Sequence, residues 1–178
     1  MSNKKGRNNT KGLISLALYS LLLKKSYDEI TVKEICAKAG VSRMSFYRYY
    51  DQKDDIFVDY CDARFEEFYE GVKDIKDLNI RDFTLAMFRF IKKYYRQLKV
   101  LKVANKEFML LNQLNSYARY IISNLKSDYL KEQKNNPLFA YFMAGGLFNV
   151  LMKWVDDQIN KSPEELNDML YAIVDKRD

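Results

Sequence analysis

A chain of 178 residues can bury one substantial core, or one small domain docked on a larger one. With 6 Gly and 2 Pro, and no run that alternates at a period of two, the pattern is that of an all-helical protein. The formal charge is +6 and there is no histidine, which removes histidine-based triads, His-ligated zinc or iron and most acid–base schemes at neutral pH.

The opening MSNKKGRNN (residues 1–9) is polar and basic without apolar periodicity, and predicts a disordered arm able to touch phosphates. A start so charged shows no signal peptide, and a cytoplasmic location is expected. The first helix is predicted over residues 10–25, with Ile14, Ala17, Leu18, Leu21 and Leu22 at i, i+3, i+4, i+7 and i+8.

Residues 31–50, TVKEICAKAGVSRMSFYRYY, read as a short helix, a tight turn and a second short helix. Thr31 and Glu34 have the spacing of a capping box, and Val32, Ile35, Cys36 and Ala39 give the first helix one apolar face. Gly40 supplies the left-handed conformation that ends it, and Ser42 is an N-cap for the second. Arg43 then stands where a guanidinium can pair with guanine O6 and N7. Tyr47 and Tyr49 offer hydroxyls to phosphates, and Lys53 adds a positive charge at the next helix start. Phe46 and Tyr50 fall on the opposite side, as core anchors. An amphipathic hairpin with two incidental tyrosines is the alternative.

A long fourth helix is predicted from near Lys53, with Asp51 as cap, through Ile56, Tyr60, Phe65, Phe68 and Val72 toward Lys76. At about 23 residues it would run ~35 Å and link the head to the body. The fifth (residues 81–93) carries Phe83, Met87, Phe90 and Ile91. A sixth over 95–103 and a seventh over 106–131 follow. Asn136-Pro137 starts the eighth, and Ser162-Pro163-Glu164-Glu165 starts the ninth with cap, N1 proline and capping-box glutamate in order.

The eighth segment, residues 137–155, is apolar enough to be weighed as a membrane span. Asn149, Lys153 and Gly145-Gly146 interrupt it, and a helix buried between two packed surfaces is the expectation. Tyr141, Ala144, Phe148, Leu151 and Val155 make one stripe; Phe142, Gly145, Asn149 and Met152 make another. A helix apolar on both sides needs covering on both. The second cover is most simply another copy, paired through a two-fold interface at Phe142, Gly145, Asn149 and Met152. A central helix of a monomer is the alternative. Cys36 and Cys61 lack metal-ligand spacing and read as reduced core thiols. No cofactor, metal or catalytic residue is expected, in the absence of any Gly-rich phosphate loop.

Charge sorts by position: residues 1–53 hold 11 Lys and Arg against 4 Asp and Glu, so essentially the whole positive excess lies there. Binding of phosphates by that part would be strongly salt-dependent.

GVSRMSFYRYYDQKDDI, preceded by YDEITVKEICAKA, resembles the DNA-binding domain of the TetR family of bacterial transcription regulators. The resemblance covers roughly residues 10–60. It implies a three-helix helix-turn-helix head over residues 10–53, joined by the fourth helix to an effector-binding and dimerisation body over 54–178. By position, Ser42, Arg43, Met44 and Ser45 become residues facing DNA, the last three reading bases. Tyr47, Tyr49 and Lys53 become phosphate contacts, and Lys33 can reach a base or phosphate. Tyr49 stands where the family often has histidine, and Tyr50 where it usually has phenylalanine. GGLFNVLMKW followed by SPEEL resembles, over a shorter span, a C-terminal type found in some regulators of dihydroxyacetone metabolism.

The resemblance implies a homodimer on a palindromic double-stranded operator, most simply a repressor released by an unknown small-molecule or protein effector. The alternatives are a co-activator controlled by a partner protein, or a small-molecule-binding helical protein that does not bind DNA. Tyr94, Phe108, Tyr117 and Tyr141, with Tyr95, Met109 and Tyr120, are candidates for an apolar pocket with hydroxyl tips. Plain core is the alternative for each.

Overall fold

A computed structural model describes residues 2–75, 78–124, 132–133, 135–157 and 160–174. Among the described residues there are nine helices and no strand: α1 (Ser2–Leu22), α2 (Val32–Ala39), α3 (Arg43–Tyr47), α4 (Asp55–Val72), α5 (Ile80–Lys93), α6 (Tyr95–Val103), α7 (Glu107–Asn124), α8 (Pro137–Asp156) and α9 (Pro163–Val174). They form two compact units, Met1–Ala63 with Val100–Met109, and Arg64–Lys99 with Leu110–Asp178. The first unit extends ten residues past position 53 and takes in the end of α6 and the start of α7.

In the first unit α1 packs on α2, and α2 on α3. Ile14, Ala17, Leu18 and Leu22 of α1 are buried, as are Ile35 and Cys36 of α2. The capping box at Thr31 is closed in both directions: the Glu34 amide donates to Thr31 Oγ1 at 3.3 Å, and the Thr31 amide to Glu34 Oε2 at 2.9 Å. Gly40 ends α2 at φ +68, and the following Val41 amide donates to Cys36 O at 3.0 Å. That dihedral is the left-handed one that favours glycine.

Element boundaries differ from expectation in the first and fourth helices. The arm expected over residues 1–9 is helical from Ser2, continuous with α1. Extending an existing helix carries no nucleation cost, and the lysines and arginine there are good helix formers. The fourth helix starts at Asp55 rather than near Lys53. Asp55, not Asp51, is the residue that closes its first turn, its carboxylate accepting the Asp51 and Gln52 amides at 2.9 and 3.0 Å. It ends at Val72, and the expected terminus at Lys76 lies outside the described residues. The seventh helix is described to Asn124, and residues 125–131 lie outside too.

The second unit is built on an apolar cluster of Phe68 and Val72 from α4, Leu78, Phe83, Met87 and Phe88 around α5, Ile122 from α7, and Ala140, Leu151 and Trp154 from α8. Helix α9 packs on α5 through a buried polar pair. The Thr84 hydroxyl donates to Asn167 Oδ1 at 2.6 Å, and Asn167 Nδ2 donates to Arg81 O at 3.2 Å. The Arg81–Asp168 and Arg89–Glu164 ion pairs, at 2.5 and 2.8 Å, flank it. A satisfied polar pair inside an apolar seam fixes the register of two helices, since any slip leaves both groups without partners.

Helix α8 begins as the sequence indicates: Asn136 accepts the Leu138 amide at 3.1 Å, ahead of the N1 proline. It is long and apolar enough to cross a membrane by length and composition. One side is buried at Ala140, Ala144, Phe148, Leu151, Trp154 and Val155, but Leu138, Tyr141 and Phe142 are 72, 50 and 77% exposed. The expected burial between two surfaces thus holds for one side within this chain. Cys36 and Cys61 are both buried and unpaired by disulfide, and burial pushes the Cys61 thiol up to about 12.

Glu34 provides a test of the α2 cap. Its hydrogen bond from Lys25 Nζ at 2.5 Å, then those from Thr31, hold its carboxyl down at about 2 from an ordinary 4.5. A folded value below the unfolded one means the cap's contribution is complete above about pH 5 and is lost as pH falls toward about 2. Thermal melts of wild type and Glu34→Gln are expected to differ near neutrality and to converge on acidification. A constant gap would show that the carboxylate charge is not what stabilises this turn.

Candidate DNA-binding face

Helix α3 has five residues, too few to be stable alone. Ser42 caps it, its Oγ accepting the Ser45 amide at 3.0 Å. Phe46 (0% exposed) and Tyr50 (4%) fasten it to the core, as their spacing indicates. Tyr50 also explains its own departure from phenylalanine. Its hydroxyl donates to Asp59 Oδ2 of α4 at 2.9 Å, and the other Asp59 oxygen pairs with Lys11 of α1. Burial first, then the Asp59 charge and hydrogen bond, push the Tyr50 phenol well above its ordinary range, so it stays a donor.

With those anchors inward, Arg43, Met44, Tyr47 and Arg48 face solvent, Met44 at 80%. Arg43 lies over the Tyr47 ring, 6.0 Å from its centroid. Lys33 and Lys38 of α2 are exposed, and Ser45 and Tyr49 are half-buried. The structure therefore gathers Lys33, Ser42, Arg43, Met44, Ser45, Tyr47 and Tyr49 on and beside the α2–α3 hairpin. Arg48 was not among the expected contacts. Its exposure beside Tyr47 follows from Phe46 and Tyr50 pointing inward, a signal that was available in their spacing.

Lys53 departs from the expected phosphate contact. Its ammonium donates to the carbonyls of Tyr27 (2.7 Å) and Ile30 (2.8 Å), and lies 4.1 Å from the Tyr27 ring centroid. A cation with two carbonyl partners and an aromatic face is already solvated by protein.

The pocket candidates of the second unit each have an aromatic or charged neighbour. Tyr94 gives its hydroxyl to Glu67 at 2.6 Å, beneath Arg64, whose guanidinium lies 4.9 Å from the Tyr94 centroid. Tyr117 is stacked on Phe65, centroids 4.1 Å apart and planes within 2°, with Tyr120 edge-on to the same ring. Tyr141 is half exposed beside Arg119. Phe108, 69% exposed, belongs to the first compact unit and the three tyrosines to the second. Aromatic residues at helical spacing find each other as readily as they find a ligand.

Residues 16–60 match the family model described as bacterial regulatory proteins, tetR family, and residues 79–176, over half the chain, match that of a transcriptional regulator C-terminal region. The chain belongs to the tetR family. TetR-family proteins are transcription regulators, not enzymes. Among curated TetR-like relatives, the uncharacterized HTH-type transcriptional regulator YxbF of Bacillus subtilis (strain 168) is 23% identical over 169 residues, covering 90% of this chain and 43% of YxbF. YdeS of the same organism is 36% identical over 62 residues, 33% of this chain and 31% of YdeS. The chain thus spans less than half the length of these relatives. In fold it is similar to a TetR transcriptional regulator from Streptococcus agalactiae 2603V (TM-score 0.68, 18% identity, 98% of both chains). It is also similar to the dihydroxyacetone kinase operon activator DhaS (TM-score 0.58, 16% identity, 92% of this chain and 93% of DhaS).

Tyr47 presents a ring beneath Arg43 and a hydroxyl on an exposed side chain, which two substitutions separate. Tyr47→Phe keeps the ring under Arg43 and removes the hydroxyl, so binding to all DNA sequences is expected to weaken alike. Tyr47→Ala removes the ring as well and is expected also to lower discrimination between sequences. Competition binding against scrambled duplex reads both. A selective loss for one sequence in Tyr47→Phe would contradict a phosphate role for the hydroxyl.

Proposed function

We propose that this protein binds a palindromic operator as a homodimer and represses transcription by occupying the promoter, until an effector favours a conformation that no longer fits the site. The observation that carries the reading is the division of α3: Phe46 buried completely, while Arg43, Met44 and Tyr47 stand outward on a helix fastened at both ends. Arg43 reads a guanine edge, Met44 and Ser45 contact neighbouring bases, and Tyr47, Tyr49, Lys33 and Ser42 contact the backbone, with Arg48 added as a further cation. The work is done in the cytoplasm, where the DNA is.

Support for the dimer comes from α8. Leu138 and Phe142 are largely exposed, and a Cβ added to Gly145 or Gly146 would meet nothing within 4 Å. That leaves room for a second helix to approach closely along Phe142, Gly145, Asn149 and Met152. Asn149 Nδ2 donates to Gly145 O of its own helix at 2.9 Å, which satisfies one of its two N–H donors within the helix. Two heads on one two-fold axis read half-sites one helical turn apart, about 10 bp centre to centre.

An activator reading is favoured by one observation, the fold similarity to the dihydroxyacetone kinase operon activator DhaS. A reporter fused to the operator distinguishes the sign, because deletion of the gene raises expression for a repressor and lowers it for an activator.

Arg43→Ala is expected to cost about 1–3 kcal/mol of specific binding, with the dimer intact and discrimination relaxed at one base pair. Unchanged specific binding would remove Arg43 from the site. Phe142→Asp places a charge in the apolar contact and is expected to yield a folded monomer by light scattering, with weakened operator binding. A variant that stays dimeric would move the interface elsewhere.

A further inference from the structure

Four side chains meet where α4 begins. Tyr27 lies in the turn after α1, Lys53 and Asp54 immediately precede α4, and Lys106 sits between α6 and α7. The Lys53 ammonium is 4.1 Å from the Tyr27 ring centroid and that of Lys106 is 4.6 Å from it. Asp54 Oδ1 accepts the Tyr27 hydroxyl, and Asp54 Oδ2 pairs with Lys106 Nζ at 3.1 Å. Lys53 completes the arrangement by holding the carbonyls of Tyr27 and Ile30, which closes the turn leading into α2.

Two ammonium groups share one ring, and Asp54 sets its carboxylate against one of them, Lys106, and against the hydroxyl of that ring. The side chains of Lys106 and Asp54 are 24 and 30% exposed, so water screens the group less than it would a surface pair. Lys106 is aimed by its backbone. Asn105 adopts φ +51, a left-handed conformation asparagine tolerates, and the Lys106 amide donates to Leu101 O at 2.9 Å. Leu101 and Ala104 are buried beside this turn.

We propose that Lys53 and Lys106 are positioning residues of the DNA-binding head: they clamp Tyr27 and Asp54, fix the start of α4 against the turn into α2, and so set the presentation of α3. Lys53 works inward on this clamp and not on a phosphate. Lys106, 58 residues beyond Arg48 in the chain, contributes to specific binding without touching DNA. The inference rests on the operator binding proposed above.

The test uses the full chain, a duplex that the wild type selects from a random-sequence pool, and a scrambled duplex, each titrated at several salt concentrations. Lys106→Met is expected to lower affinity for the selected duplex about tenfold, leave the scrambled duplex unaffected, and be rescued by Lys106→Arg. Lys53→Met is expected to lower specific affinity with the salt slope of the wild type retained. A slope reduced by about 0.9 would make Lys53 a phosphate contact after all and overturn its assignment. Equal affinities for wild type and Lys106→Met, or equal losses on both duplexes, would overturn the clamp while leaving operator binding standing. A wild type that selects no sequence would instead overturn operator binding, and this inference with it. Amide hydrogen exchange keeps a readout independent of DNA: Lys106→Met is expected to speed exchange at Ile30, Phe57 and Val58, and unchanged rates there would also overturn the clamp.

Discussion

The constraint on which the head depends is the shortness of α3. Five residues cannot pay the entropy of helix formation by themselves, so their position is dictated by what surrounds them. The answer is a set of side chains reaching in from other elements. Phe46 fills the space between helices, Tyr50 reaches Asp59, and Asp59 holds Lys11 of α1. Asp54, just before α4, and Asp59, in its first turns, each receive a tyrosine hydroxyl and a lysine. The aromatic rings supply apolar area, and their hydroxyls supply direction. A tyrosine in place of phenylalanine at 50 converts a greasy anchor into an oriented one.

The second unit solves a different problem. Its helices are long enough to be held by apolar burial, and its polar interactions choose among packings instead of creating them. Thr84 and Asn167, both nearly inaccessible, satisfy each other and the Arg81 carbonyl, and thereby select one register of α9 on α5. Trp154 does the same at the end of α8, donating Nε1–H to Lys161 O at 3.1 Å. What the unit leaves unsolved within one chain is the outer side of α8, where Leu138 and Phe142 meet water. A second copy is the cover proposed above, and it would also match the two-fold symmetry of the proposed palindromic site.

Features fixed by neighbours in sequence were legible in advance. Thr31 with Glu34, Gly40, Ser42, Asn136-Pro137 and Ser162 with Glu165 all cap or end helices as their spacing indicates, and Ile35, Phe46 and Tyr50 are buried as their periodicity indicates. The inward partners of Lys53 and Lys106 carry no local mark, because the acceptors of Lys53 lie 23 and 26 residues back and Asp54 lies 52 residues before Lys106. An exposed-looking lysine beside a DNA-binding motif carries no mark of such partners. The neighbours of the aromatic candidates in the body were hidden for a related reason. Periodicity places Tyr117 on a helix face but says nothing of Phe65, which occupies that face by stacking. The outer stripe of α8 was legible as apolar, and Leu138 and Phe142 there are exposed within this chain.

The most direct test of the account is a footprint of the wild-type protein on the DNA upstream of its own gene, repeated across a range of salt. The account predicts two protected half-sites related by a two-fold axis, about 10 bp apart centre to centre, with affinity falling steeply as salt rises. Protection of a single half-site, or weak binding indifferent to sequence at every salt concentration, would contradict it.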